Sequence, residues 1–93
     1  MTDTLTQARI ALLQIMTTSD KEMNIARAKE LAKSAASDGA EIIVLPEMFV
    51  CPYEEKYMVA AKEPADERGP TFNMLREMAI ETGTYVIGGS FPE

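Results

Sequence analysis

Histidine is absent from this 93-residue chain, and cysteine occurs once, at Cys51. The first absence excludes every catalytic arrangement that needs an imidazole, Ser-His-Asp and Cys-His alike, and every histidine-built metal site. The second excludes an internal disulfide and a thiolate zinc cluster. Basic residues are few, nine against fifteen acidic, for a formal net charge of -6. They are scattered among acids, so no surface is written for a phosphate backbone, and nucleic acid is excluded as an expected partner. No apolar run approaches the about 20 residues that a membrane-crossing helix needs. The polar opening "MTDTLTQ" lacks the basic and apolar regions of a secretory signal. The expectation is therefore no membrane role and a cytoplasmic location. Glycine patterns that cradle phosphates are missing as well, since Gly88 and Gly89 have no helical segment after them. No cofactor and no metal are expected.

What is present fits one soluble domain, with 46% hydrophobic and 26% charged residues. "RIALLQIM", residues 9–16, is apolar on both alternations, the pattern of a strand buried on both faces of a parallel sheet. Ser19 and Glu22 have capping-box spacing, and Asp20 adds an acid at the positive end of the helix that they open. Over residues 20–37, Ile25, Ala28, Leu31 or Ala32, and Ala35 share a stripe that packs on a sheet. Gly39 closes this helix in a left-handed conformation, and "EIIVL", residues 41–45, is the second strand. "EEKYMVAAKEP" makes a short helix or a lid-like loop, and "ADERGP" is turn chemistry. Pro70 opens a further helix with Phe72, Leu75, Met78 and Ala79 on one face, Gly83 ends it, and "TYVIGGS" is the third strand. The seven methionines lie beside apolar residues and read as adaptable core filler. Strand, helix, strand, helix, strand is an α/β unit with helical crossovers.

In such sheets ligands collect beyond the carboxyl ends of the strands, and Glu47 lies two residues past the second strand. Pro46 fixes its own φ, lacks an N–H and biases Leu45 toward an extended conformation, so the chain leaves the sheet on a defined path and the carboxylate is aimed. On spacing alone two roles stay open for Glu47: a working acid or base, and a strand-terminal acid that caps or is simply solvated.

"RIALLQI" at 9–15, "KELAKSAASDGAEIIVLPEMFVCPY" at 29–53, "GP" at 69–70 and "YVIGGSFPE" at 85–93 together resemble the opening of a nitrilase-superfamily carbon-nitrogen hydrolase. The "PY" after the glutamate loop and the "IGGSFPE" ending are most similar to the omega-amidase-like branch, which hydrolyses monoamides of small dicarboxylates. The resemblance implies a four-layer α-β-β-α sandwich, usually dimeric, of which residues 1–93 would form the amino-terminal β-α-β-α-β part. It also implies a glutamate, a lysine and a cysteine in catalysis. Of their motifs only LPE lies here, which makes Glu47 the general base. Phe49 and Tyr53, in the loop that borders the substrate in relatives, become candidate substrate-binding residues.

The resemblance places the lysine and cysteine motifs beyond Glu93, so the expectation is a truncated domain, inactive alone. Cys51 reads as an ordinary, partly buried thiol rather than a substitute nucleophile. Lys21, Lys29, Lys33, Lys56 and Lys62 read as solvated surface charges. Two other readings remain: one half of a two-chain enzyme, and a non-catalytic α/β interaction module. Two helices can cover only one sheet face, so an apolar patch and self-association are expected.

Overall fold

The computed structural model describes residues 7–63, 69–90 and 92. Three short parallel strands, β1 (Ile10–Leu12), β2 (Ile42–Val44) and β3 (Tyr85–Ile87), form one sheet in the order β1-β2-β3. Ile10, Ala11 and Leu12 stand beside Ile42, Ile43 and Val44, which stand in turn beside Tyr85, Val86 and Ile87. Three helices connect them: α1 (Lys21–Ser37), α2 (Glu55–Ala61) and α3 (Pro70–Thr82). The turn expected over residues 65–70 lies mostly outside the described residues.

The first strand is much shorter than its apolar run. Past Leu12 a single further bond, from the Leu13 N–H to the Val44 carbonyl at 2.9 Å, prolongs the ladder. Pro46 has no N–H to offer a neighbour, so the central strand can carry the sheet no further as a regular ladder. Residues 13–18 leave as irregular chain.

Helix α1 begins one residue later than the capping box predicts. Its cap is Asp20, whose carboxylate accepts the Met23 N–H at 3.2 Å. Its far end closes as expected: the Gly39 N–H reaches the Ala36 carbonyl, the Ala40 N–H reaches Ala35, and Gly39 has φ +95°. The buried stripe is Asn24, Ala28 and Ala32, flanked by the partly buried Ile25, Ala35 and Ala36. A polar residue thus begins the stripe.

Helix α3 opens on Pro70 and ends at Gly83, which has φ +65° and donates to the Ala79 carbonyl. Thr71, Met74 and Met78 are its buried residues, while Phe72, Leu75 and Ala79 are half-buried. The buried side is therefore turned by one position from the predicted one. Helices α1 and α3 touch each other, α1 contacts β2, and α3 contacts β3. Both lie on one face of the sheet, as parallel neighbours in sequential order require when every crossover has the same hand.

Ile43 and Phe49 are fully buried between sheet and helices, with Val50 and Met78. Each large apolar side chain so placed contributes about 1.5–3 kcal/mol. The opposite face carries Ile10, Leu12, Ile42, Val44, Tyr85 and Ile87. Burial on both faces, predicted from the apolar runs, is therefore not what the strands have: Leu12 is 72% and Tyr85 77% exposed. Among the described residues no helix is long and apolar enough to cross a membrane.

Candidate active site at the strand tips

Beyond Val44 the chain runs through Leu45 and Pro46 to Glu47, which pairs with Ser90 in an isolated parallel bridge. The Leu45 N–H still donates to Ile87, and the Met48 N–H donates to the Ser90 carbonyl at 2.9 Å, with the Ser90 hydroxyl oxygen at 3.3 Å. The extensions of β2 and β3 are thus laced together on both sides of the glutamate. Glu47 sits at the carboxyl end of the sheet, where the sequence predicted it, and its side chain is exposed. Met48 follows with φ +50°, a left-handed conformation that methionine rarely adopts and that turns the chain sharply inward.

The inward turn takes Phe49, Val50 and Cys51 into the core. Phe49 and Tyr53, named together as candidate substrate-binding residues, fall in different environments. Phe49 is 0% exposed and packed in the core, whereas Tyr53 is 74% exposed. Burial pushes the Cys51 thiol above its ordinary range, and the Lys21 charge only partly opposes it. Such a thiol is held protonated near neutrality, the opposite of what a nucleophile needs.

Lys21 is not the solvated surface charge that the sequence suggests. Its ammonium stands 2.5 Å from the Glu63 carboxylate and donates to the Ala61 carbonyl at 2.6 Å. Glu63 is buried, and it accepts both the hydroxyl and the N–H of Thr71 at 2.8 Å each. It therefore caps α3 from outside the helix, in place of Gly69, which has no side chain to do so. Gly69 makes room for this, since a Cβ there would lie 2.3 Å from Glu63 Oε1. Burial acts to raise the Glu63 pKa, but the hydrogen bonds from Lys21 and Thr71, with the Lys21 charge, outweigh it and hold the group below the usual glutamate range. The pair joins the start of α1 to the end of α2 and the start of α3.

A groove of about 550 Å³ runs along the open edge of β1, lined by residues including Leu12, Leu31 and Ser34. It contains none of Glu47, Phe49 and Tyr53. Among the described residues no three His, Cys, Asp or Glu side chains gather as a metal site.

Sequence reasoning missed Asn24, Lys21 and Glu63 as structural polar groups. For Asn24 a signal was available, because an amide at the head of a buried alanine stripe must have partners.

The carbon-nitrogen hydrolase family matches residues 9–93, nearly the whole chain. This chain belongs to the carbon-nitrogen hydrolase family. Among curated relatives it is 44% identical over 87 residues to the omega-amidase NIT2 of Bos taurus, covering 91% of this chain and 30% of that protein. It is 40% identical over 89 residues to the omega-amidase NIT2 of Homo sapiens, covering 96% and 32%. A hydrolase of Schizosaccharomyces pombe is 42% identical over 85 residues, covering 91% and 26%. The chain thus spans about a quarter to a third of the length of these relatives. Its parallel α/β architecture agrees with an amino-terminal part of the nitrilase fold.

Proposed function

We propose that this chain is the amino-terminal part of a cytoplasmic omega-amidase-type hydrolase that cleaves the carbon-nitrogen bond of small dicarboxylate monoamides, with Glu47 as its general base. The observation that carries this reading is the placement of Glu47. It is the acid of the LPE motif, solvent-accessible at the carboxyl ends of the strands, and held on either side by hydrogen bonds to the β3 extension. In this reading the lysine and the nucleophilic cysteine come from sequence outside these 93 residues.

The Glu47 carboxylate takes the proton of that cysteine thiol, and the thiolate attacks the amide carbonyl carbon. The tetrahedral intermediate collapses with rupture of the carbon-nitrogen bond, and the proton held by Glu47 goes to the departing ammonia, leaving an acyl thioester. Glu47 then takes a proton from water, the hydroxide adds to the thioester, and the sulfur leaves and is reprotonated. The lysine ammonium stabilises the oxyanion of both intermediates, a type of contact that contributes about 3–4 kcal/mol. Tyr53 faces the substrate from the loop, while Phe49 supports that loop from within the core.

The uncovered sheet face supports the fragment reading. Six apolar side chains on one sheet face, four of them more than half exposed, in a chain that spans about a third or less of its relatives, call for a second layer from the remaining two thirds of the domain. The test is ammonia release from a dicarboxylate monoamide. The full-length protein is expected to turn over, Glu47→Gln to lower kcat by about 10²–10⁴-fold, and the 93-residue chain to be inert. Turnover by the short chain that vanishes in Glu47→Gln would overturn the fragment reading, and full turnover by the full-length Glu47→Gln variant would overturn the base.

A further inference from the structure

Asn24 is 2% exposed, and its amide is used in full. Nδ2 donates to the Val50 carbonyl at 2.7 Å and to the Thr18 carbonyl at 2.8 Å. Oδ1 accepts the Thr18 N–H at 2.8 Å and the Thr18 hydroxyl at 3.0 Å. The two ends of the amide are therefore not interchangeable: a flipped amide, or the carboxylate of Asn24→Asp, would set oxygen against two carbonyls. Thr18 belongs to the chain that leaves β1, and Val50 to the turn that leaves β2. One buried side chain on α1 thus ties together two loops at the strand end where Glu47 stands.

The segment that carries Glu47 is held at two points. On the sheet side it is fixed by Ser90. On the other side, three residues on, Val50 is fixed by Asn24. Between the anchors lies Met48, whose φ of +50° persists only if both ends of the turn are held. Release of Val50 would let Met48 relax toward negative φ, and the freed turn would strain the Met48 N–H bond to the Ser90 carbonyl, so that the bridge holding Glu47 loosens with it.

We propose that Asn24 is a positioning residue for Glu47, holding the turn of residues 48–51 through the Val50 carbonyl. The proposal rests on the reading of Glu47 as general base. It gives the buried amide a part in the reaction although it touches no reacting atom.

The experiment compares Asn24→Asp with Ala32→Gly in the full-length protein. The second change loosens the same helix two turns on, without touching the loop bonds. Hydrogen exchange at the Met48 amide is expected to accelerate at least about tenfold in Asn24→Asp while the Ile43 amide keeps its protection; in Ala32→Gly the two should move together. In the same preparations kcat is expected to fall on the order of a hundredfold for Asn24→Asp with little change in KM, because a small misplacement of a reacting group has that effect. Equal acceleration of Met48 and Ile43 in Asn24→Asp, or an unchanged kcat, would overturn the proposal. Should Asn24→Asp not fold, hydrogen exchange in the unaltered protein decides the matter. The Asn24 side-chain N–H groups and the Met48 amide should then open in one sub-global step, and separate openings would overturn the linkage. Glu47→Gln, run alongside, keeps the two ideas apart: full activity there sinks the base, while selective loss of Met48 protection with full activity sinks only the part assigned to Asn24.

Discussion

Gly89 approaches the Pro46 backbone so closely that a Cβ on it would lie 2.3 Å from the Pro46 carbonyl oxygen. Gly89 also has φ +65°. Two independent demands, space and a left-handed backbone, fall on the residue that precedes the partner of Glu47. Its neighbour Gly88 faces a flexible leucine side chain and has no comparable constraint from the backbone.

Gly89→Ala is therefore expected to destabilise the fold by roughly 2–4 kcal/mol, from backbone strain together with a clash that only a main-chain shift relieves. Denaturant midpoints measure the loss. Because the shift must open the Glu47–Ser90 bridge, protection of the Met48 amide should fall with it. A variant as stable as the parent would show that the two extensions are not pressed together.

The Lys21–Glu63 pair makes a prediction in pH. The folded Glu63 pKa lies below the unfolded value, which is near 4.3 for a glutamate. The unfolded state therefore binds the proton more readily, so the contribution to stability is fully present above about pH 4.3 and is lost as pH falls through the folded value. Glu63→Gln should cost about 3 kcal/mol at pH 7, since it leaves the Lys21 ammonium without its partner in a largely buried place. The difference from the parent should shrink below pH 4. Chemical denaturation of both proteins between pH 3 and pH 7 checks this, and a gap that stays constant with pH would contradict it.

The order of elements was legible from periodicity and turn residues, and so were the glycine stops at Gly39 and Gly83. What escaped was long-range. Lys21 and Glu63 are 42 residues apart, and each taken locally is a charge near a helix end or a proline. Only the return of the chain brings them together, and no local pattern encodes that. The strands were overread for a related reason. Apolar residues on both alternations predict what a strand would bury, whereas the ladder stops where a neighbour can no longer donate, at Pro46. The strand-end location of Glu47 was legible because it depends on local rules, a strand end and a proline, while Ser90, which bridges it, and Asn24, which holds the following turn at Val50, belong to elements distant in sequence.

Cys51 offers a direct check on which sulfur does chemistry. It is buried, and burial holds the thiol protonated. Alkylation by iodoacetamide at pH 7.5 is expected to be at least about tenfold slower than for a free cysteine, and to reach the free rate only on unfolding. Cys51→Ser should leave the turnover of the full-length protein within about threefold of the parent, the change being one of packing. Loss of activity matching that of Glu47→Gln would make Cys51 the nucleophile after all and would remove the need for a cysteine from outside these residues.

Ile10, Leu12, Tyr85 and Ile87 are each more than half exposed on a surface that carries no charge along the three strands. Water against so much adjoining apolar area favours any contact that removes it, at roughly 25 cal/mol per Å² buried. In the 93-residue chain alone the available cover is a second copy, so sedimentation should show mass rising with concentration. Leu12→Lys puts a charge in the middle of the contact, where desolvation would be costly, and should return the chain to a monomer. In the full-length protein the same substitution should instead lower stability, because there the face meets its own second layer. A parent chain that stays monomeric at high concentration would mean that this face is not sticky enough to drive association.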